Sequence, residues 1–158
     1  MRNLLVSLAA CLAVFQFSAC KQTQKSASGN GGLETVMSVP ATVTAGSPVM
    51  LQFTVYNRSG VDSQFCKWHT PFEGFISSFL DIKDAAGTDV QYRGAMAKRV
   101  MPPPAEAYIK VPAGDSVSVT VDLLKGYDLT KPGQYKAVYQ AGGMSGLMKV
   151  NEISFSVQ

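Results

Sequence analysis

Histidine is nearly absent from this chain, and cysteine is scarce. The 158 residues contain one histidine, His69, and three cysteines, Cys11, Cys20 and Cys66. A zinc hydrolase motif such as His-Glu-x-x-His needs two imidazoles one helical turn apart and a carboxylate that activates water. The single histidine excludes this class of metal centre, and no other motif predicts a metal or a cofactor.

Charge is also sparse, because charged residues make up 16% of the chain and the formal net charge is +3. Without Arg2, 13 basic residues face 11 acidic ones, and both signs are scattered along the sequence. Nucleic-acid-binding domains present clustered Lys and Arg. The composition therefore predicts no nucleic-acid partner.

The amino terminus has the pattern of a secretory signal. Arg2 precedes an apolar stretch over residues 4–17, which only Ser7 and Gln16 interrupt and which is too short to span a membrane. Phe17-Ser18-Ala19-Cys20 resembles the bacterial lipobox, in which the cysteine thiol receives a diacylglycerol and the peptide is cut before it. This predicts a lipoprotein signal peptide over residues 1–19 and lipidation of Cys20; an ordinary signal with an incidental cysteine is the alternative. Cleavage before Cys11 would leave the apolar region too short.

A polar tether is predicted to follow the lipid. Residues 20–32 are small, polar and glycine-rich, as in flexible linkers. Lys21 stands where lipoproteins kept in the inner membrane usually carry Asp, so we expect an outer-membrane location in the cell envelope. With Cys11 removed and Cys20 lipidated, only Cys66 remains free, which excludes an internal disulfide and a cysteine zinc site.

Residues 33–158 are predicted to form one all-β domain. Alternating apolar and polar residues occur over 35–39, 49–55, 75–82, 89–92, 117–121, 135–139 and 153–157. Combinations of Gly, Pro, Asn and Asp separate these runs and favour turns. The spacing predicts an immunoglobulin-like antiparallel β-sandwich of seven to nine strands.

Tyr135 lies at the start of a late predicted strand, just after Pro132-Gly133. In the tyrosine corner of immunoglobulin-like sandwiches, such a phenol binds backbone a few residues upstream. We therefore assign Tyr135 and Gly133 structural roles. No Cys…Trp…Cys pattern is present, so a true immunoglobulin domain is not implied.

The stretch CKWHTPFEG, residues 66–74, contains the single tryptophan and the single histidine. Cys66 and His69 suggest a thiol–imidazole pair, but residues three apart in a strand point to opposite faces. Only a turn could bring them together, and Cys66 is more simply a small buried residue.

Three stretches together resemble the amino-terminal domain of deuterolysin-like (aspzincin) peptidyl-Lys metalloendopeptidases. They are Trp68-His69-Thr70-Pro71-Phe72-Glu73-Gly74, then Tyr92-Arg93-Gly94 with Lys98-Arg99, then Tyr127-Asp128-Leu129 leading to Gly133-Gln134-Tyr135. The family's zinc helix has no counterpart here. The resemblance implies a stand-alone accessory β-domain, which in secreted bacterial members is a propeptide that assists and restrains the enzyme.

That resemblance implies a non-catalytic, lipid-anchored protein that binds a protein partner, as inhibitor or chaperone of a secreted zinc metalloprotease. Trp68, Glu73, Tyr92, Lys98 and Arg99 are the predicted contacts with the partner, on one rim. Pro71 and Gly74 are predicted to end a strand and complete a turn. Two alternatives remain: a structural envelope lipoprotein whose sandwich binds a glycan, peptide or sibling subunit, and an enzyme that uses Cys66 and His69.

Overall fold

The computed structural model describes residues 32–141 and 143–158. The predicted signal peptide, the predicted lipidation site Cys20 and almost all of the predicted tether lie outside the described residues. Within these ranges no helix is long and apolar enough to cross a membrane.

The described residues fold as an all-β, immunoglobulin-like sandwich of nine strands. The strands are β1 (Leu33–Ser38), β2 (Thr42–Val43), β3 (Met50–Asn57), β4 (Ser63–Cys66), β5 (Leu80–Asp84), β6 (Tyr108–Val111), β7 (Ser116–Asp122), β8 (Gly133–Tyr139) and β9 (Ile153–Val157). Three short 3-10 turns, Pro71–Glu73, Ala105–Ala107 and Leu123–Lys125, connect them.

Two sheets form the sandwich, and a small third one lies beside them. Sheet I has the order β1-β3-β7, sheet II the order β2-β9-β8-β5, and β4 pairs with β6. The pairs are antiparallel as predicted, except that the two-residue β2 runs parallel to β9.

The core forms between the inner faces of sheets I and II. In β3, Leu51, Phe53 and Val55 are fully buried while Gln52 between them is exposed. Strands β8 and β9 bury alternate residues in the same way. Because successive side chains point to opposite faces of a strand, the alternating sequence specifies which face of each strand points inward.

The strand predicted over residues 75–82 is wrong in its first half, because regular structure begins only at Leu80. The backbone N–H groups of Phe79 and Leu80 both donate to the Tyr127 hydroxyl, at 3.2 and 2.9 Å. The carbonyls of Phe75 and Ile76 accept bonds from Ala95 and Ala97. The segment is therefore held by a side chain and a loop instead of a neighbouring strand.

The strand predicted over residues 89–92 is also absent and is replaced by isolated bridges, Lys83 with Asp89 and Tyr92 with Tyr127. Conversely, β2 and β4 lie outside the predicted alternating runs, and so does β6. Its four residues include the exposed Tyr108 and Lys110, and they pair only with the short β4.

Candidate functional site

The segment CKWHTPFEG forms a tight corner after β4. Thr70 caps the 3-10 turn: its Oγ1 accepts from the Phe72 N–H at 3.2 Å and donates to the Lys67 carbonyl at 2.6 Å. Pro71 starts the turn, where its fixed φ is favourable. Gly74 ends it with a φ of 73°, a conformation that glycine adopts at little cost. The corner explains why Pro71 and Gly74 occupy these positions.

Glu73 is the hydrogen-bonding centre of this corner, and its side chain is only 3% exposed. Its Oε1 accepts from the His69 N–H at 2.8 Å, from Ser77 Oγ at 2.6 Å and from Arg99 Nη2 at 2.6 Å. A carboxylate this deeply buried requires a paired cation and several donors. The Glu73 side chain thus joins the corner to the distant residue Arg99.

Arg99 completes a three-residue cluster with Glu73 and Trp68. Its guanidinium lies 4.8 Å from the centroid of the Trp68 ring, within cation–π distance. Trp68 itself is 7% exposed and packs with Cys66 and Ala107. Glu73 Oε2 and Arg99 Nε are buried without a hydrogen-bond partner among the described atoms.

The cluster holds a long irregular loop, residues 94–104, against the corner. Besides Arg99, the backbone bonds from Ala95 and Ala97 to Phe75 and Ile76 fasten this 94–104 loop, at 2.9 Å each. Tyr92 supports its beginning, because the hydroxyl donates to the Ala95 carbonyl at 3.1 Å. A side chain at Gly94 would approach the Tyr92 hydroxyl to 2.2 Å, so the loop passes Tyr92 closely.

The outward side of the loop is apolar. Met96, Val100 and Met101 are 75%, 83% and 61% exposed. Lys98 is exposed between them and has no ion-pair partner among the described residues. Contiguous exposed apolar surface marks contact sites in soluble proteins. Three exposed apolar side chains within six residues of an anchored loop make this segment the candidate contact surface.

The structure therefore brings Trp68, Glu73 and Arg99 together but places Trp68 and Glu73 inside the protein, while Lys98 lies on the surface. Tyr92 is half-buried and packs against the Tyr127 ring, with centroids 5.3 Å apart. In the free protein, Trp68 and Glu73 position the loop and do not themselves form its surface. Sequence reasoning singled out Lys98 and Arg99 but not Met96 and Val100, although these apolar residues flank the charged pair in a stretch without strand alternation, GAMAKRVM.

Tyr135 donates its hydroxyl to the Lys131 carbonyl at 2.6 Å, which is the geometry of a tyrosine corner. Gly133 begins β8 and pairs with Val157 of β9. Burial raises the pKa of Tyr135, and the negative charges of nearby Asp84 and Asp128 raise it further.

Cys66 is a poor nucleophile in this setting. The residue is 2% exposed, and burial raises the pKa of its thiol, so the thiol stays protonated near neutral pH. His69 has a φ of 57°, and its Nδ1 lies 3.3 Å from the Ser78 carbonyl. Among the described residues, no three His, Cys, Asp or Glu side chains form a group that could hold a metal ion.

No protein-family model and no curated protein matches this sequence. Among solved structures, a mutant β-glucosidase from Listeria innocua in complex with laminaribiose is 17% identical over 80% of this chain, with a TM-score of 0.39; the match spans 16% of that enzyme. A Pseudomonas fluorescens alkylpurine DNA glycosylase bound to DNA is 12% identical over 80% of this chain and 30% of its own, with a TM-score of 0.41.

A CARDB domain from Pyrococcus furiosus in complex with di-metal ions is 13% identical, covering 80% of this chain and 87% of its own, with a TM-score of 0.39. Likeness this remote assigns no activity, ligand or partner to this chain.

Proposed function

We propose that this protein is a non-catalytic, lipid-anchored protein of the cell envelope that binds another protein, as an inhibitor or chaperone of a secreted zinc metalloendopeptidase. Lipid on Cys20 and the tether over residues 20–32 hold the sandwich at the membrane, with the outer membrane as its site. The resemblance of the corner and of the Tyr127–Tyr135 region to a protease accessory domain supports the choice of partner.

The observation that carries the binding role is the apolar surface of the 94–104 loop. Met96, Val100 and Met101 are exposed on a segment that buried contacts hold in place. Presenting apolar groups in a fixed conformation lowers the entropy lost on binding. A lipid bilayer is a weaker fit, because Lys98 is the single unpaired cation of the described loop and one cation contributes only about 1 kcal/mol at an anionic surface.

Two observations favour protein binding over glycan binding and over catalysis. Glycan sites usually stack sugars on exposed aromatic rings. Trp68 is buried and Tyr92 is half-buried, so Tyr108, at 37% exposure, is the one exposed ring of these three. An enzyme that uses Cys66 would need an accessible thiolate, whereas burial keeps this thiol neutral.

The test is an assay of the secreted zinc peptidases of the producing bacterium, with the full-length protein purified in detergent. We expect slowed peptide cleavage, or a higher yield of refolded peptidase, with the wild type. A Val100→Asp/Met101→Asp variant should weaken the effect at least about tenfold, as expected for central contacts of an interface.

Val61→Asp is the matched control, because Val61 is also exposed but lies outside the loop. The proposed function would be contradicted if micromolar protein caused no inhibition and did not assist folding. An equal loss in the Val61 control would contradict the role of the loop.

A further inference from the structure

The edges of the two large sheets are protected, with one exception. Beside β1, Thr35 N–H donates to the Lys149 carbonyl at 2.8 Å and Met37 N–H to Asn151 Oδ1 at 2.7 Å. Beside β5, Val90 N–H donates to the Ile82 carbonyl at 2.8 Å. The β2 edge is only two residues long. The remaining edge is β7, which has seven residues and pairs only with β3 in the described structure.

The register shows which backbone groups of β7 are available. Leu123 N–H donates to the Val49 carbonyl at 2.9 Å, and the β3–β7 register continues without a bulge from Met50–Asp122 to Tyr56–Ser116. In an antiparallel ladder, hydrogen-bonded and non-hydrogen-bonded pairs alternate. The backbone N–H and C=O groups of the odd-numbered residues of β7 therefore pair with β3. The backbone N–H and C=O groups of Ser118 and Thr120 point away from β3.

The inner face of β7 is also incompletely covered. Val117, Val119 and Val121 point toward the core but are only half-buried, whereas the inward residues of the central strand β3 are fully buried. The inward residues of β1, whose edge is covered, are fully buried as well. The remaining exposure of the valines therefore arises at the open edge of the strand.

The 3-10 turn Pro71–Glu73 lies close to β7, with Phe72 packed on Phe53 on the core side. Among the described residues, the β7 sequence itself contains none of the residue types that block strand addition. Proteins protect exposed edges with lysine, proline, bulges or inward charges. Between Asp115 and Asp122 the chain reads SVSVTV, which contains no charge and no proline. Asp115 and Asp122 flank the uncharged stretch, one at each end.

We propose that the β7 edge binds an extended segment of another protein as a fourth strand of sheet I. Only an extended backbone supplies donors and acceptors that alternate as those of Ser118 and Thr120 do. The half-buried valines require an apolar residue at every second position of that segment, and the exposed Ser118 and Thr120 side chains favour small polar residues between them. Asp115 Oδ1 accepts from the Ser116 N–H, and Asp122 Oδ1 accepts from the N–H groups of Val49 and Leu124. Both carboxylates keep their negative charge, which favours a basic residue near each end of the segment. This surface uses no residue of the 94–104 loop, so it stands independently of the proposed function.

The experiment uses a short acetylated and amidated peptide that alternates valine and threonine and carries a lysine at each end. It is added at up to millimolar concentration to the full-length protein in detergent, and amide hydrogen exchange is measured by NMR. We expect slower exchange at Ser118 and Thr120. Val119 is the internal control, because its N–H faces β3 and should change little. A peptide N-methylated at every valine and threonine lacks these donors and should have no effect.

A pair of variants separates backbone pairing from side-chain contact. Thr120→Pro removes an outward N–H without removing a donor to β3, whereas Thr120→Ala keeps that N–H. Thr120→Pro should weaken peptide binding at least about tenfold and Thr120→Ala should not. Exchange in the wild type decides the outcome if Thr120→Pro fails to fold.

Unchanged exchange at Ser118 and Thr120 with millimolar peptide would overturn the proposal. So would protection confined to β1 or β5. Slow exchange at Ser118 and Thr120 that depends on protein concentration without peptide, together with dimers in sedimentation, would overturn the proposed occupant and indicate a second copy of this chain.

Discussion

The guanidinium of Arg99 lies 4.8 Å from the centre of the Trp68 ring and donates from the same group to the buried Glu73. This places the single tryptophan next to the contact that anchors the 94–104 loop. Fluorescence from Trp68 therefore reports on whether the loop is anchored.

Glu73→Gln should destabilise the fold by about 1–3 kcal/mol, because Arg99 would remain largely buried without its counter-charge. Urea unfolding followed by Trp68 fluorescence measures the change. Glu34→Gln is the control, since Glu34 forms an exposed ion pair with Arg58 and should change stability by less than about 0.5 kcal/mol. Equal effects of the two substitutions would show that Glu73 does not anchor the loop.

Tyr135→Phe should cost about 0.5–1.5 kcal/mol, because it removes the hydrogen bond to the Lys131 carbonyl and keeps the ring packed on Phe155. Tyr108→Phe, at an exposed residue, should leave the unfolding midpoint almost unchanged. Thermal unfolding of both variants beside the wild type is the measurement. A stability of Tyr135→Phe equal to that of wild type would argue against a tyrosine corner.

Alkaline pH should destabilise the protein through Tyr139. Burial raises the pKa of Tyr139 from 10.0 to about 12 in the folded state. The phenol of Tyr139 ionises first in the unfolded chain. The contribution of Tyr139 to the free energy of unfolding is therefore complete below about pH 10 and falls as the pH rises toward 12, by up to about 3 kcal/mol.

Tyr139→Phe should lower stability at neutral pH, since it removes the hydrogen bonds to the His69 carbonyl and Ser145 Oγ, and should flatten the loss above pH 10. Urea unfolding at a series of pH values measures both. An unchanged alkaline slope in the variant would mean that Tyr139 is not the responsible group.

Cys20→Ser should release the protein from the membrane, because it removes the thiol that would carry the diacylglycerol. Fractionation of the envelope and metabolic labelling with a radioactive fatty acid detect the change. Cys66→Ser should keep both the label and the membrane fraction. Persistent membrane association of Cys20→Ser would contradict the lipid anchor.

Alternation along the chain predicted β3, β7, β8 and β9 closely, because each has one face toward the core. The tyrosine corner was also visible, since a Pro-Gly turn followed by tyrosine is a local pattern. By contrast, residues 75–79 read FISSF, with two apolar residues followed by two serines, and the bonds to Tyr127 and to the 94–104 loop hold this segment outside any strand ladder.

The candidate site was predictable in part. The resemblance placed Lys98-Arg99 and CKWHTPFEG on one rim, but their separation along the chain gives no sign that Arg99 pairs with a buried Glu73 and stacks on Trp68. Burial of Trp68 and the open edge of β7 depend on which strands become neighbours. Periodicity specifies the faces of a strand and not its partners.

Site-specific photo-crosslinking tests the central claim, that the 94–104 loop is a protein-binding surface. A photoreactive amino acid is placed at Met101 in the full-length protein, and at the exposed Ser47 as a control, and living cells are irradiated. We expect a protein adduct of discrete mass from position 101, absent from position 47 and reduced by Glu73→Gln. Adducts to lipid alone, or the same protein adducts from both positions, would contradict the central claim.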